Sequence, residues 1–146
     1  MERLLSSDNI GVLIRDVNLT IINYVKHQLK PFDLALEQNL IMLLLWNQEG
    51  VIPNEIAEQR NKDRASIARM IFRLETKGYI RREHDEKDRR SFKIYLTEEG
   101  KKLGNDVIPA IQHTGEHLTK GMTKEELTSF RKTMLKIQEN ALNAES

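Results

Sequence analysis

The chain has 146 residues, a net charge of +1, 39% hydrophobic and 31% charged side chains, a balance that suits one soluble domain with a real core. It contains no cysteine, which excludes disulfides, thiolate nucleophiles, iron–sulfur clusters and thiol redox switches. No window is apolar for the length a membrane-spanning helix needs, and the start MERLLSSDNIG lacks a basic stretch followed by an apolar run, so a cytoplasmic protein is expected.

From residue 8 to 30, Ile10, Leu13, Ile14, Val17, Ile21, Tyr24 and Val25 recur at spacings of three and four, the mark of an amphipathic helix that Pro31 should end. Residues 37–47 are apolar nearly all round and predict a short central helix, with Glu49 and Gly50 as its exit. Pro53 suits a first helical position, so residues 54–58 predict a short third helix. After the polar link Arg60, Asn61 and Lys62, Asp63 can cap a fourth helix from Arg64 to Lys77, with Gly78 as its left-handed stop. At about 100° per residue, Ile67, Met70, Ile71 and Leu74 gather on one side of it and Ser66, Arg69, Arg73 and Thr76 on the other.

Two helices joined by a tight polar link, the second with an outward basic stripe, match a helix-turn-helix that lays its second helix in the major groove of DNA. Residues 79–84 and 91–97 flank the polar turn 85–90, and Phe92, Ile94 and Leu96 alternate with Lys93 and Tyr95. This predicts a β-hairpin with one buried face, a wing whose cationic tip reaches a groove beside the one the helix occupies. Thr97 caps a following helix that runs through Leu103, Val107, Ile111 and Leu118, with Pro109 as a kink. Thr123 and Glu126 form a capping box, Met122 and Leu127 a hydrophobic staple, and Leu127, Phe130, Met134, Ile137 and Ala141 an apolar stripe on the last helix.

The architecture expected is therefore mainly α with a small β-hairpin: a winged helix-turn-helix lobe over residues 36–96, within a single domain spanning 1–146. The terminal segments 1–34 and 98–146 carry more apolar surface than such a lobe can cover, so they are expected to be dimerisation helices. Charge supports the lobe's role. Residues 60–93 hold twelve Lys or Arg against six Asp or Glu, a surplus of six that leaves the rest of the chain at −5.

The motifs at residues 54–58 (NEIAE), 63–91 and 95–103 (YLTEEGKKL) resemble the multiple antibiotic resistance regulator family, the MarR family of winged-helix transcription factors. The wing pair Asp88 and Arg90, followed by the LTEEG segment, is the sharpest part of the likeness. Ala35 stands where many members place a capping Thr or Ser, and Ile52 with Pro53 replaces their usual polar pair. The resemblance implies a homodimer whose terminal helices interlock, with two reading helices in successive major grooves of a pseudo-palindromic double-stranded DNA site. It implies that Arg90 enters the minor groove and Asp88 braces it. It also implies small aromatic or phenolic effectors between the reading lobe and the dimer helices.

The expected DNA-binding residues are Arg64, Ala65, Ser66, Arg69 and Arg73 on the helix and Lys87, Asp88, Arg89 and Arg90 on the wing. A hydroxyl and guanidiniums can address base edges and phosphates, Ala65 can pack on a thymine methyl, and Lys87 and Arg89 suit phosphates. The plain alternative for the helix is a solvated face. For Arg90 it is an ion pair to Asp88 that stiffens the hairpin, although exposed pairs contribute only about 0–1 kcal/mol. An alternative for the whole chain is a winged-helix protein–protein interaction module that does not bind DNA, which the outward arginine stripe fits poorly.

The segment HTGEH places His113 and His117 one turn apart with the inverted zinc-peptidase spacing. A catalytic zinc needs a third protein ligand, and Asn39 stands where a zinc sensor of this family would want one, so no metal, no cofactor and no enzymatic activity are expected. Trp46, Tyr24 and Phe32 either line an effector cavity or belong to the core.

Overall fold

A computed structural model describes residues 4, 8–60 and 62–144. The chain forms two compact units, residues 1–112 and 113–146, with the boundary inside the fifth helix. Its elements are α1 (Ile10–Leu29), a 3₁₀ turn (Lys30–Phe32), α2 (Leu36–Asn47), α3 (Pro53–Arg60), α4 (Arg64–Thr76), β1 (Ile80–His84), β2 (Phe92–Leu96), α5 (Glu98–Leu118) and α6 (Lys124–Leu142). The mainly helical architecture with a hairpin wing follows the expectation. Residues 1–3 and 5–7 of the start and Asn61 of the polar link fall outside the described residues.

Local chemistry sets most of the boundaries. The Asn9 side chain accepts from the Val12 amide at 3.3 Å and starts α1. Pro31 does not merely stop that helix: it sits inside the 3₁₀ turn, which Asp33 closes in a left-handed conformation at φ 50°. Ala35 occupies the cap of α2 without a polar side chain, and Gln38 compensates by accepting from the Ala35 amide at 3.3 Å. The same Gln38 oxygen accepts from Lys77 Nζ at 2.9 Å, which ties the start of α2 to the end of α4.

The core of the first unit is aliphatic. Leu29, Ile41, Met42, Leu45, Ile56, Ile67, Ile71, Leu74, Ile80, Ile94 and Val107 are all buried. They come from α1, α2, α3, α4, both strands and α5, so the reading elements share one packed centre. Each such side chain stabilises by about 1.5–3 kcal/mol through burial.

β1 and β2 pair antiparallel, with Ile80 opposite Leu96, Arg82 opposite Ile94 and His84 opposite Phe92. A third strand-like contact escaped the sequence reading: Val51 bridges to Ile94, with Ile94 N donating to Val51 O at 2.9 Å and Gly50 N to Ile94 O at 2.8 Å. Two residues are too short a run to show periodicity, and only the fold brings them to β2.

α5 begins where Thr97 Oγ1 accepts from Gly100 N at 3.1 Å while donating to Gly78 O. Gly100 is buried against the Tyr79 carbonyl, and a Cβ there would collide with that oxygen. Trp46 Nε1 donates to Gly100 O at 2.9 Å on the other side. The glycine of LTEEG is thus required by a close backbone approach that docks α5 on the α4–β1 turn.

In the second unit the capping box of α6 is formed, Glu126 N donating to Thr123 Oγ1 at 3.1 Å and Thr123 N to Glu126 Oε1 at 3.4 Å. No described residue of α6 is buried. Phe130 and Leu135 are more than half exposed.

Candidate nucleic-acid interface

α4 starts with a small relay. Asp63 Oδ1 accepts the Ser66 amide at 2.7 Å, Ser66 Oγ donates to Asp63 Oδ2 at 2.9 Å, and Arg69 Nη2 donates to Ser66 Oγ at 3.0 Å. The Ser66 amide, then its hydroxyl, then the Arg69 charge hold the Asp63 carboxyl below its ordinary 3.8. Ser66 is half-buried and its hydroxyl engaged, so it aims Arg69 as much as it faces outward.

Ile67, Ile71 and Leu74 are buried, as the periodicity predicts, and Met70 is half-buried. Arg64, Ala65, Arg69 and Arg73 are exposed. So is Phe72, at 62%, a large apolar side chain that the expected polar face did not include. The sequence held the signal: Phe72 lies seven residues after Ala65 and three after Arg69, which puts it on the same side.

The wing tip is organised by two aspartates. Asp85 Oδ1 accepts the Lys87 amide at 2.8 Å, and Asp88 Oδ1 accepts the Arg90 amide at 3.1 Å. Ser91 N donates to Asp88 O and Asp85 N to Ser91 O, both at 3.0 Å. The His84 ring meets Arg89 O through Nδ1 at 2.8 Å and lies 5.6 Å from the Phe92 ring. Lys87, Asp88, Arg89 and Arg90 are all exposed. The Arg90 side chain is 95% exposed, and its Nε is 3.5 Å from Asp88 Oδ1.

The basic surplus divides into two groups. Arg82, on the core-facing side of β1, binds Glu75 at 2.9 Å and covers the Phe92 ring at 4.5 Å. Phe92, on the face expected to be buried, is half-buried. Arg81 lies 4.8 Å over the Tyr95 ring and pairs with Glu83 at 3.2 Å; Lys62 pairs with Glu37 at 3.5 Å. By contrast Arg64, Arg73, Lys87 and Arg89 make no ion pair among the described residues. In the hairpin stem Arg81 and Arg82 serve the fold, whereas the cations on α4 and at the tip stay exposed to solvent.

Trp46 packs against the core and lines a cleft of about 280 Å³ with Glu49, Lys101, Asn105 and Ile108, without Tyr24 or Phe32. Phe32 packs on the core. The structure thus does not gather the three aromatics around that cleft. His113 and His117 are exposed, and among the described residues no group of three or more His, Asp or Glu side chains is placed to hold a metal ion.

The MarR family pattern matches residues 34–92, from the turn before α2 into β2. An HTH-type transcriptional regulator of Bacillus subtilis strain 168, YybA, is 32% identical over 117 residues, 77% of this chain and 75% of its own. The chain belongs to the MarR family. It is a winged-helix, DNA-binding transcriptional regulator and not an enzyme. Among solved structures, an Escherichia coli MarR variant in complex with operator DNA superimposes with a TM-score of 0.82 at 23% identity, over 92% of this chain and 96% of that one, a likeness of fold. CouR from Rhodococcus jostii RHA1, bound to p-coumaroyl-CoA, gives a TM-score of 0.80 at 28% identity, over 90% and 92%. Among the described residues of this MarR-family chain, no helix is long and apolar enough to cross a membrane.

Proposed function

We propose that this regulator is a ligand-responsive homodimeric repressor of a pseudo-palindromic DNA site, with residues 36–96 as reading lobe and 1–34 and 98–146 as dimerisation segments. α4 enters the major groove, where Arg69 addresses base edges, Ala65 approaches a thymine methyl, and Arg64, Ser66 and Arg73 fix the register. Lys87 and Arg89 contact phosphates, and Arg90, braced by Asp88, enters the minor groove.

The observation that carries the reading is the division among the cations: those of α4 and the wing tip are exposed and unpaired with acids, or nearly so, while Arg81 and Arg82 in the stem are tied down. The exposed apolar residues Ile10, Leu13 and Val17 of α1, and Phe130, Leu135 and Leu142 of α6, support a second copy as partner. The p-coumaroyl-CoA bound by CouR, whose acyl group is a phenol, supports a small aromatic or phenolic ligand, which releases DNA by favouring a separation of reading helices that DNA does not fit.

Selection of bound sequences from random duplex DNA tests the reading. The expected product is an inverted repeat with half-sites about one helical turn apart. A pool without enrichment, or a chain that sediments as a monomer at every concentration, refutes it; enrichment of a protein from solution instead would favour the interaction-module alternative. Transcription in vitro from a promoter carrying the selected site should fall when the protein is added.

A further inference from the structure

We propose that Phe72 is a specificity-determining residue that packs its ring on a thymine C5-methyl group in the major groove. The inference rests on the DNA-binding reading above. It adds a contact that neither the basic stripe nor the wing provides.

Three observations converge on it. First, Phe72 is 62% exposed although it stands in the middle of a helix whose other large apolar residues are buried, as Ile67, Ile71 and Leu74 are, or half-buried, as Met70 is. Among the described residues the ring is left mostly uncovered. Its neighbour one turn back, Ala68, is small and exposed, so the ring stands clear of the helix surface.

Second, its direction is outward, not lateral. At about 100° per residue the buried positions define an inward pole, and Phe72 lies roughly 150° from it, as does Arg69 on the other flank. Ala65 and Thr76 fall between them. The outermost line of α4 therefore reads Ala65, Arg69, Phe72, Thr76, alternating small, cationic, aromatic and polar.

Third, the ring shares the exposed side of α4 with guanidiniums. Arg73 makes no ion pair among the described residues, and Arg69 donates to the Ser66 hydroxyl within the field of Asp63. Whatever covers Phe72 must be apolar at its centre and anionic around it. An apolar protein surface would bury those guanidiniums without acids to meet them, at a cost in desolvation. The major groove meets both demands, because phosphates line its rims and the thymine methyl is the apolar group on the base edges.

The test uses the operator recovered by selection and replaces its thymines one at a time with deoxyuridine, which removes the methyl and keeps every hydrogen-bonding group. The wild-type protein should lose about fourfold in affinity at one or two thymines per half-site, the effect of about one buried methyl group. In Phe72→Ala the same replacements should cost nothing, with a melting temperature unchanged because the ring is exposed. This cycle separates Phe72 from Ala65, whose own contact would persist in the variant. If wild-type protein is indifferent to every thymine methyl, or if uridine costs both proteins equally, the assignment falls while DNA binding stands. The first of these comparisons needs no variant at all. A pool with no bound sequence removes the assignment together with the reading beneath it.

Discussion

Replacing Arg90 with alanine separates a residue that holds the wing together from one that meets DNA. Its side chain is 95% exposed, and its ion pair with Asp88 spans 3.5 Å. Such a pair contributes about 0–1 kcal/mol. The turn keeps its other bonds, since Asp88 still accepts the Arg90 amide at 3.1 Å and the Ser91 hydroxyl at 3.4 Å. At about 2–4 °C per kcal/mol for a chain of this size, the melting temperature should move by less than about 4 °C. DNA binding should respond far more. In the proposed dimer two wings would each lose a charge-assisted contact of about 1.5 kcal/mol, which multiplies to about a hundredfold in affinity.

Fluorescence anisotropy with labelled operator, between about 50 and 200 mM salt, reads both the affinity and its salt dependence. The slope of log affinity against log salt should become shallower by about two, roughly 0.9 for each lost contact. Arg81→Ala removes the same charge from a residue engaged with Tyr95 and Glu83, and should change the slope much less. An Arg90→Ala protein with unaltered affinity and slope removes the wing from DNA recognition. A melting temperature lowered by about 10 °C would instead make the turn its role.

Gly100→Ala drives a Cβ into the Tyr79 carbonyl oxygen and strains the bonds from Thr97 N to Tyr79 O at 3.1 Å and from Trp46 to Gly100 O at 2.9 Å. We expect a loss of about 3 kcal/mol in urea unfolding; a loss below about 1 kcal/mol would show that α5 is not docked this closely. Asp63 has a folded-state pKa below its ordinary 3.8, so its contribution to stability is present above that value and disappears as pH falls through the lower folded-state value. Asp63→Asn should therefore flatten the acid limb of a melting-temperature profile below pH 3.8, and parallel acid limbs in the two proteins would contradict the relay. Phe130→Glu places a charge on the exposed apolar face of α6 and should convert dimer to monomer in sedimentation, with weaker operator binding; a dimer of unchanged stability would clear that face of the role.

Much of this protein was legible in its sequence because the signals are local. A helix cap needs only the next three residues, so Asp63 before Ser66 and Thr123 before Glu126 announced where α4 and α6 begin. The buried side of α4 followed from spacing alone, and the alternation of β2 from its own five residues. The wing's turn chemistry, Asp85 and Asp88 accepting nearby amides, is likewise contained in a few consecutive positions.

What one stretch of sequence does not contain is the identity of its neighbours in space. Arg82 counts toward the basic surplus of residues 60–93, but Glu75 and Phe92 take it for the fold. Val51 gains its strand contact from Ile94, forty-three positions away. Gly100 is obligatory only because the Tyr79 carbonyl passes beside it. Spacing puts Phe72 on the outer side of α4, but only the packing shows how far its ring is left uncovered. By itself the sequence determined the elements, their caps and the sign of their charge, since these depend on bonds within about one turn of chain. Tertiary structure alone decided which cations are consumed and which side chains remain uncovered, because exposure and pairing are properties of surfaces that distant segments form together.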